Sequence, residues 1–220
     1  MSATLQPTLV VTEIFRSLQG ESSFSGLPCV FVRLTGCSLR CVWCDSAYAF
    51  HGGTTKTLEE VLTEVAAHGV PLVELTGGEP LEQEGFYPLA AALCDREYTV
   101  LVETGGHVPL GRVDPRVIKI VDVKCPGSGM EHANDLPNLE LLGPRDEVKF
   151  VVADRRDFDW AVDFVRGHGL DKHTVLISPV FEGGASPIAS ALGEWVRDSG
   201  LKLRFNLQLH KILWGDVPGR

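Results

Sequence analysis

Nowhere does the chain have an apolar run approaching the roughly 20 residues that cross a bilayer. Its opening stretch, Met-Ser-Ala-Thr-Leu-Gln-Pro, has no basic region followed by an apolar one. No membrane association or secretion is expected, and a cytoplasmic, reducing setting is. Positive charge is in short supply: 20 Lys and Arg stand against 29 Asp and Glu, a net charge of −9. That balance argues against a broad nucleic-acid or anionic-membrane surface, so no nucleic-acid partner is expected. Low-complexity tracts and repeats of fixed period are missing as well, which sets aside solenoids and disordered linkers. With 220 residues, the simplest organisation is a single domain, 1–220, with a full-sized core.

What the chain does have is three cysteines in eight residues, Cys37-Ser-Leu-Arg-Cys41-Val-Trp-Cys44. In a reducing compartment such a group signals metal binding or catalysis. Structural zinc wants four ligands in a closed tetrahedron; His51 is the nearest fourth candidate, and no second C-x-x-C pair exists. An iron–sulfur cubane normally takes four thiolates too. Three would leave one iron with an open position, able to bind a small molecule and pass it an electron. Cys29, Cys94 and Cys125 stand apart, and burial without function is expected for the first two.

Runs rich in Val, Ile and Leu predict buried strands at Leu9–Ile14, Val30–Thr35, Leu72–Thr76, Val100–Glu103, Val117–Val123, Val148–Val152 and Val175–Ser178, with a last one at Lys202–Leu209. Thr57-Leu-Glu-Glu60 is a capping box that opens a helix with Leu58, Val61, Leu62 and Val65 on one face, stopped by Gly69. Further helices are predicted at about Phe86–Arg96, at Arg156–Gly167 with Trp160, Ala161, Phe164 and Val165 as its stripe, and from Ser186-Pro187 to Gly200. The segment Cys125–Asp146, rich in Gly, Pro and Asn, has no period and is expected to be a long functional loop. Strands alternating with helices imply an α/β fold with a parallel sheet, open or barrel-like.

Each unusual motif follows a predicted strand. The cysteine loop follows Val30–Thr35, Thr76-Gly-Gly-Glu-Pro80 the next, then come Glu103-Thr-Gly-Gly106, Asp122-Val-Lys124 and Ser178-Pro179. Ligands of parallel α/β folds gather at the carboxyl ends of strands. Five such ends converging on one face describe one large site. Arg33 sits in an otherwise apolar strand, so it needs a bound anion or an internal ion pair.

Cys-x3-Cys-x2-Cys after a core strand, with Trp43 before the last cysteine and Gly-Gly-Glu-Pro after the next strand, resembles the radical S-adenosylmethionine (SAM) superfamily. That resemblance implies an incomplete TIM-like barrel with the site at the C-terminal strand ends. It also implies a 4Fe-4S cluster on Cys37, Cys41 and Cys44, SAM on the open iron, and an external one-electron reductant of flavodoxin or ferredoxin type. The residues implied to border SAM are Trp43, Cys44, Asp45, Gly78, Glu79 and Glu103, then Asp122, Val123 and Lys124, then Ser178, Pro179, Val180 and Phe181. Gly77 and Gly78, without side chains, would let backbone approach the methionine moiety; Glu79 would take its amino group or fix the loop.

A narrower resemblance rests on Glu13-Ile-Phe-Arg-Ser-Leu-Gln-Gly-Glu21, Phe31-Val-Arg-Leu-Thr-Gly-Cys37, Cys44-Asp-Ser46 and Gln208-Leu-His-Lys211. These are similar to the 7-carboxy-7-deazaguanine synthase family, across residues 13–211. The family implies a ring contraction of a small-molecule pterin, 6-carboxy-5,6,7,8-tetrahydropterin, with loss of ammonia, as a step toward queuosine and other deazapurines. It further implies Mg2+ on Ser46 and a homodimer. Leu18, Gln19, Gly20, Glu21, Arg33, Thr76 and His210 match substrate contacts, which makes 8–28 and 202–220 substrate-binding additions to the core. A surface position is nearly as good a reading of His210, and a structural acceptor role of Glu103.

Two departures stand out. Some relatives place Ser-Pro-Lys where this chain has Asp122-Val-Lys124, and the tail beyond Trp214 is longer than in some. The rivals are a glycyl-radical activase, which shares the cysteine spacing but has no use for Leu-Gln-Gly-Glu, and a non-catalytic iron–sulfur or zinc protein.

Overall fold

Side chains alternate between the two faces of a strand, and in this chain the two parities carry different chemistry. The computed structural model describes residues 7–181, 185–215, 217 and 219. Its nine strands are β1 (Thr8–Leu18), β2 (Pro28–Leu34), β3 (Thr54–Thr57), β4 (Leu72–Gly77), β5 (Thr99–Thr104), β6 (Ile118–Asp122), β7 (Glu147–Val152), β8 (Thr174–Pro179) and β9 (Leu203–Phe205). They form one sheet in the order β3-β1-β2-β4-β5-β6-β7-β8-β9. From β2 to β9 every pairing is parallel, while β1 runs antiparallel to both β2 and β3. The sheet stays open, with β3 and β9 as its edges.

Four helices, α1 (Leu58–Ala67), α2 (Phe86–Asp95), α3 (Arg155–His168) and α4 (Ala189–Asp198), lead into β4, β5, β8 and β9, while segments with 3-10 turns join β5 to β6 and β6 to β7. One strand parity faces them: Val30, Val32, Leu34, Val73, Leu75, Val100 and Val102 pack with α1 and α2, and Val148, Phe150, Val152, Val175 and Ile177 with α3 and α4. The opposite parity begins apolar, as Cys29, Phe31, Leu72, Leu101, Ile118, Ile120 and Leu176 fill the concave side. One pleat further toward the strand ends the same face carries Arg33, Glu74, Glu103, Asp122 and Lys149. The apolar plug thus becomes the base of a polar site.

The capping box is present: the Thr57 hydroxyl accepts from Glu60 N at 3.3 Å, and Thr57 N donates to Glu60 at 2.7 Å. Gly69, at φ +62°, ends α1 in the left-handed conformation that glycine tolerates best. Asp154 caps α3, accepting from Arg156 N and Asp157 N.

Three expectations need correction, and two elements were not foreseen. Lys202–Leu209 is a strand only over 203–205; Asn206 breaks off by donating its side-chain amide to Ser178 at 3.0 Å. A fifth helix, α5 (Leu209–Trp214), follows. The edge strand β3, Thr-Thr-Lys-Thr, has no apolar residue to announce it. Ser186-Pro187 belongs to a turn, and α4 starts at Ala189. Cys125–Asp146 is no structureless loop: it holds three 3-10 turns, and buried Asn138 accepts from Leu110 N at 2.8 Å while donating to Gly106 O and Val108 O. Among the described residues no helix is long and apolar enough to cross a membrane.

Candidate active site

A cavity of about 340 Å³ opens at the carboxyl ends of the parallel strands. Its lining draws on the cysteine loop after β2, the glycine loop after β4 and the ends of β5, β6, β7 and β8, together with β1 and α5. The predicted convergence of strand ends on one site is what the fold delivers.

The cysteine loop is fixed by its neighbours. Glu79 N donates to Gly36 O at 2.7 Å, Val42 N to Ser128 O at 3.0 Å, and Ser38 N to the Glu82 carboxylate at 3.0 Å. Cys37, Cys41 and Cys44 are unpaired thiols, and all three line the cavity. Burial pushes the Cys37 thiol up to about 11 and raises Cys41 as well. Among the described residues no three Cys, His, Asp or Glu side chains gather closely enough to hold a single metal ion.

Gly77 and Gly78 are needed for packing between loops. A side chain on Gly77 would run into the backbone of Leu34, and one on Gly78 into the carbonyl of Gly36. Close approach to β2 accounts for glycine at 77, and close approach to the cysteine loop for glycine at 78. Glu79, fully buried, accepts from Thr104 Oγ1 at 2.9 Å, Gly105 N at 2.8 Å and Leu81 N at 3.1 Å. Of its two expected roles, the loop-fixing one is visible.

Opposite the thiols lies an acidic floor. Lys149 Nζ donates to Glu21 at 2.9 Å and to Glu103 at 3.1 Å. Burial is the largest influence on the Glu21 carboxyl and would raise it, but the Lys149 charge, the hydrogen bonds from Lys149 and Gln208 and the nearby His210 together outweigh it and hold Glu21 below the usual carboxylate range. Glu74 has no such ion pair among the described residues: burial, and then repulsion from Glu103 and Glu21, push it well above its ordinary value. The Gln19 amide oxygen accepts from Glu21 N at 2.7 Å, which fixes the amide's orientation because that backbone group only donates. Its nitrogen then donates to Glu74.

Arg33 has an internal partner: its Nε donates to Glu13 at 2.8 Å, and Tyr48 OH donates to the same oxygen at 2.8 Å. Arg33 still lines the cavity. Lys124 pairs with Asp122 at 2.9 Å, while the second Asp122 oxygen is buried without a hydrogen-bond partner among the described residues. Asp45 accepts from Lys211 at 2.8 Å and Gln208 at 3.2 Å. Ser46 donates to Gly77 O at 3.3 Å.

Leu18, Gln19, Gly20, Thr76, Trp43, His210, Val180 and Phe181 also reach the cavity. Val123, Ser178 and Pro179 are not part of its lining. Val123 belongs to the core beneath α3, and the Ser178 hydroxyl accepts from Asn206. Sequence reasoning missed Glu74, Lys149 and Tyr48. For the first two the signal was there as strand parity, since each shares a face with the expected Thr76 and the inward ends of neighbouring strands.

Residues 31–183 match the Radical SAM superfamily. The 7-carboxy-7-deazaguanine synthase of Koribacter versatilis is 47% identical, over 93% of this chain and 96% of that protein. Its namesake from Chlorobaculum tepidum is 48% identical over 94% of both. The crystal structure of QueE from Escherichia coli is similar in fold, with a TM-score of 0.74 at 23% identity, covering 92% of this chain and 95% of that one. By matched length and by identity, the chain belongs to the radical SAM superfamily and, within it, to the 7-carboxy-7-deazaguanine synthase family.

Proposed function

We propose that this chain is a lyase converting 6-carboxy-5,6,7,8-tetrahydropterin to 7-carboxy-7-deazaguanine with loss of ammonia, by radical ring contraction. One observation carries the reading: a three-thiol loop and a floor of carboxylates and amides open on the same cavity, in a chain whose relatives bear that synthase's name.

The donor set fits the groups that the family brings. Three unpaired thiols at the cavity wall suit a cluster that three cysteines hold, with one iron left open. The buried, partnerless oxygen of Asp122 offers an acceptor for a polar cofactor group. When bound, the cluster and SAM supply a one-electron sulfonium cleavage that yields a 5′-deoxyadenosyl radical. Cys37, Cys41 and Cys44 would hold the cluster. Trp43, Gly78 and the Asp122–Lys124 strand end would border SAM.

The remaining work falls to the floor. Gln19 and Glu21 present an amide and a carboxylate to the amide-and-amine edge of a pterin. Arg33 offers its planar cation to the substrate carboxylate. Ser46 would supply one oxygen to Mg2+, with water and substrate oxygens completing the shell that this hard ion prefers. β1 and α5 line the cavity and would help to keep water and reductant from the reacting atoms. These two elements are the substrate-binding additions to a single domain, 1–220. An external one-electron donor, a cytoplasmic setting and a homodimer complete the reading.

The test is anaerobic reconstitution, followed by the carboxylated tetrahydropterin, SAM and a reductant, with mass-spectrometric detection of product. The deazaguanine and ammonia are expected. A loaded cluster that cleaves SAM without making that product sinks the substrate reading, and one that cannot cleave SAM sinks the radical reading.

A further inference from the structure

The helix α5 is docked in an unusual way. Of its six residues only Lys211 is buried, while Ile212 and Leu213 are 51% and 50% exposed. A helix this short does not persist on its own, so its order comes from what it touches. Several of those contacts are polar. Lys211 Nζ donates to Asp45 at 2.8 Å, and Gln208 Nε2 bridges Glu21 at 2.9 Å and Asp45 at 3.2 Å. Leu209 N donates to Gly20 O at 2.9 Å, and the His210 imidazole occupies the space that a side chain at Gly20 would need. Asp45 directly follows Cys44 in the cysteine loop. The segment that carries Gln208 and His210 into the cavity is therefore referenced to the loop of thiols on the other side.

We propose that Lys211 is a positioning residue that, through Asp45, ties the C-terminal helix to the cysteine loop, so that the substrate side of the cavity is complete only when that loop is in place. The inference rests on the pterin reading for what the cavity binds, but the tie itself does not. Lys211 and Gln208 both hold Asp45, and withdrawing a carboxylate from a buried cation is disfavoured. Displacement of the cysteine loop would thus loosen α5, and with it two side chains of the substrate wall. Apolar docking would not behave so, because it is indifferent to where a carboxylate stands.

Hydrogen exchange over 208–215 reads the tie without substrate, in the anaerobic holoenzyme and in wild-type protein stripped of its cluster. Lys211→Met is expected to keep its iron and sulfide content while exchange in 208–215 quickens by about tenfold or more. Cluster removal should quicken the same segment in the wild type and add little in Lys211→Met. With substrate, the variant's KM should rise by about tenfold with a smaller change in kcat, and Lys211→Arg should restore both readouts toward wild type. Unchanged exchange in Lys211→Met, or wild-type exchange indifferent to cluster loss, would overturn the proposal. A wild-type enzyme that makes no deazaguanine would instead defeat the pterin reading and leave the exchange result standing.

Discussion

Lys149 Nζ lies 2.9 Å from Glu21 Oε2 although 128 residues separate the two in sequence. Their side chains are 8% and 9% exposed, so each ion depends on the other for what water would otherwise supply. Burial lowers the lysine's affinity for its proton, yet Glu103 and Glu21 together hold it well above its ordinary value. Lys149→Met leaves these carboxylates facing one another. It should cost about 3–5 kcal/mol of stability, measured by denaturant unfolding, because an uncompensated buried charge remains. Glu21→Gln placed on top should recover part of that loss. A double variant as unstable as the sum of its singles would contradict the pairing.

Glu74 titrates at higher pH in the folded chain than its ordinary 4.5. The folded state then binds more protons than the unfolded one, and stability falls as pH rises from 4.5 toward the folded value. Glu74→Gln keeps an oxygen for the Gln19 amide but cannot ionise. It should melt above wild type near pH 8, by at least about 2–4 °C if the penalty removed is about 1 kcal/mol. The gap should close toward pH 5. A difference in melting temperature that does not vary with pH would show that Glu74 ionises freely.

How much of this was legible beforehand differs between strand and loop. The parallel core could be read because Val, Ile and Leu runs have few other uses, and the capping box at Thr57 because its two hydrogen bonds are local. The cysteine and glycine loops announced themselves by composition. Glu74 and Lys149 did not, since a single ionisable residue inside an apolar run reads as an exception until its parity is compared with other strands. β3 and α5 were missed for related reasons. The first has only polar residues on an edge, and the second is helical through contacts with Asp45, Glu21 and Gly20 that no local pattern encodes. Leu203–Leu209 alternates like a strand, but past Asn206, which bonds to Ile177 and Ser178, the chain turns to Gly20 through Leu209 N.

The glycine loop gives a sharper test of the site than the cysteines themselves. A Cβ at Gly78 would overlap Gly36 O and come within 2.9 Å of Cys37 Cβ, neither of which yields without moving the thiol loop. Gly78→Ala should cost about 1–3 kcal/mol and lower the iron content after reconstitution, with SAM cleavage falling in step. Gly167→Ala is the control. It lies within α3 with nothing within 4 Å of the added methyl, so it should gain about 0.5–1 kcal/mol by the usual advantage of alanine over glycine in a helix. Full iron loading in Gly78→Ala would mean that the loop bends more readily than its contacts imply.

Arg33 is the residue for which two roles must be separated, because it both lines the cavity and pairs with Glu13 at 2.8 Å. If it serves the substrate carboxylate, Arg33→Ala should raise KM by an amount worth about 2–4 kcal/mol, with the cluster retained. Arg33→Lys should fall between, since it keeps the charge and loses the planar fork. Glu13→Gln breaks the same internal pair from the other side. Both Arg33→Ala and Glu13→Gln should lower the melting temperature, but only the arginine variant should multiply KM. An unchanged KM in Arg33→Ala would confine the guanidinium to its partnership with Glu13 and leave the substrate carboxylate to be met by another group.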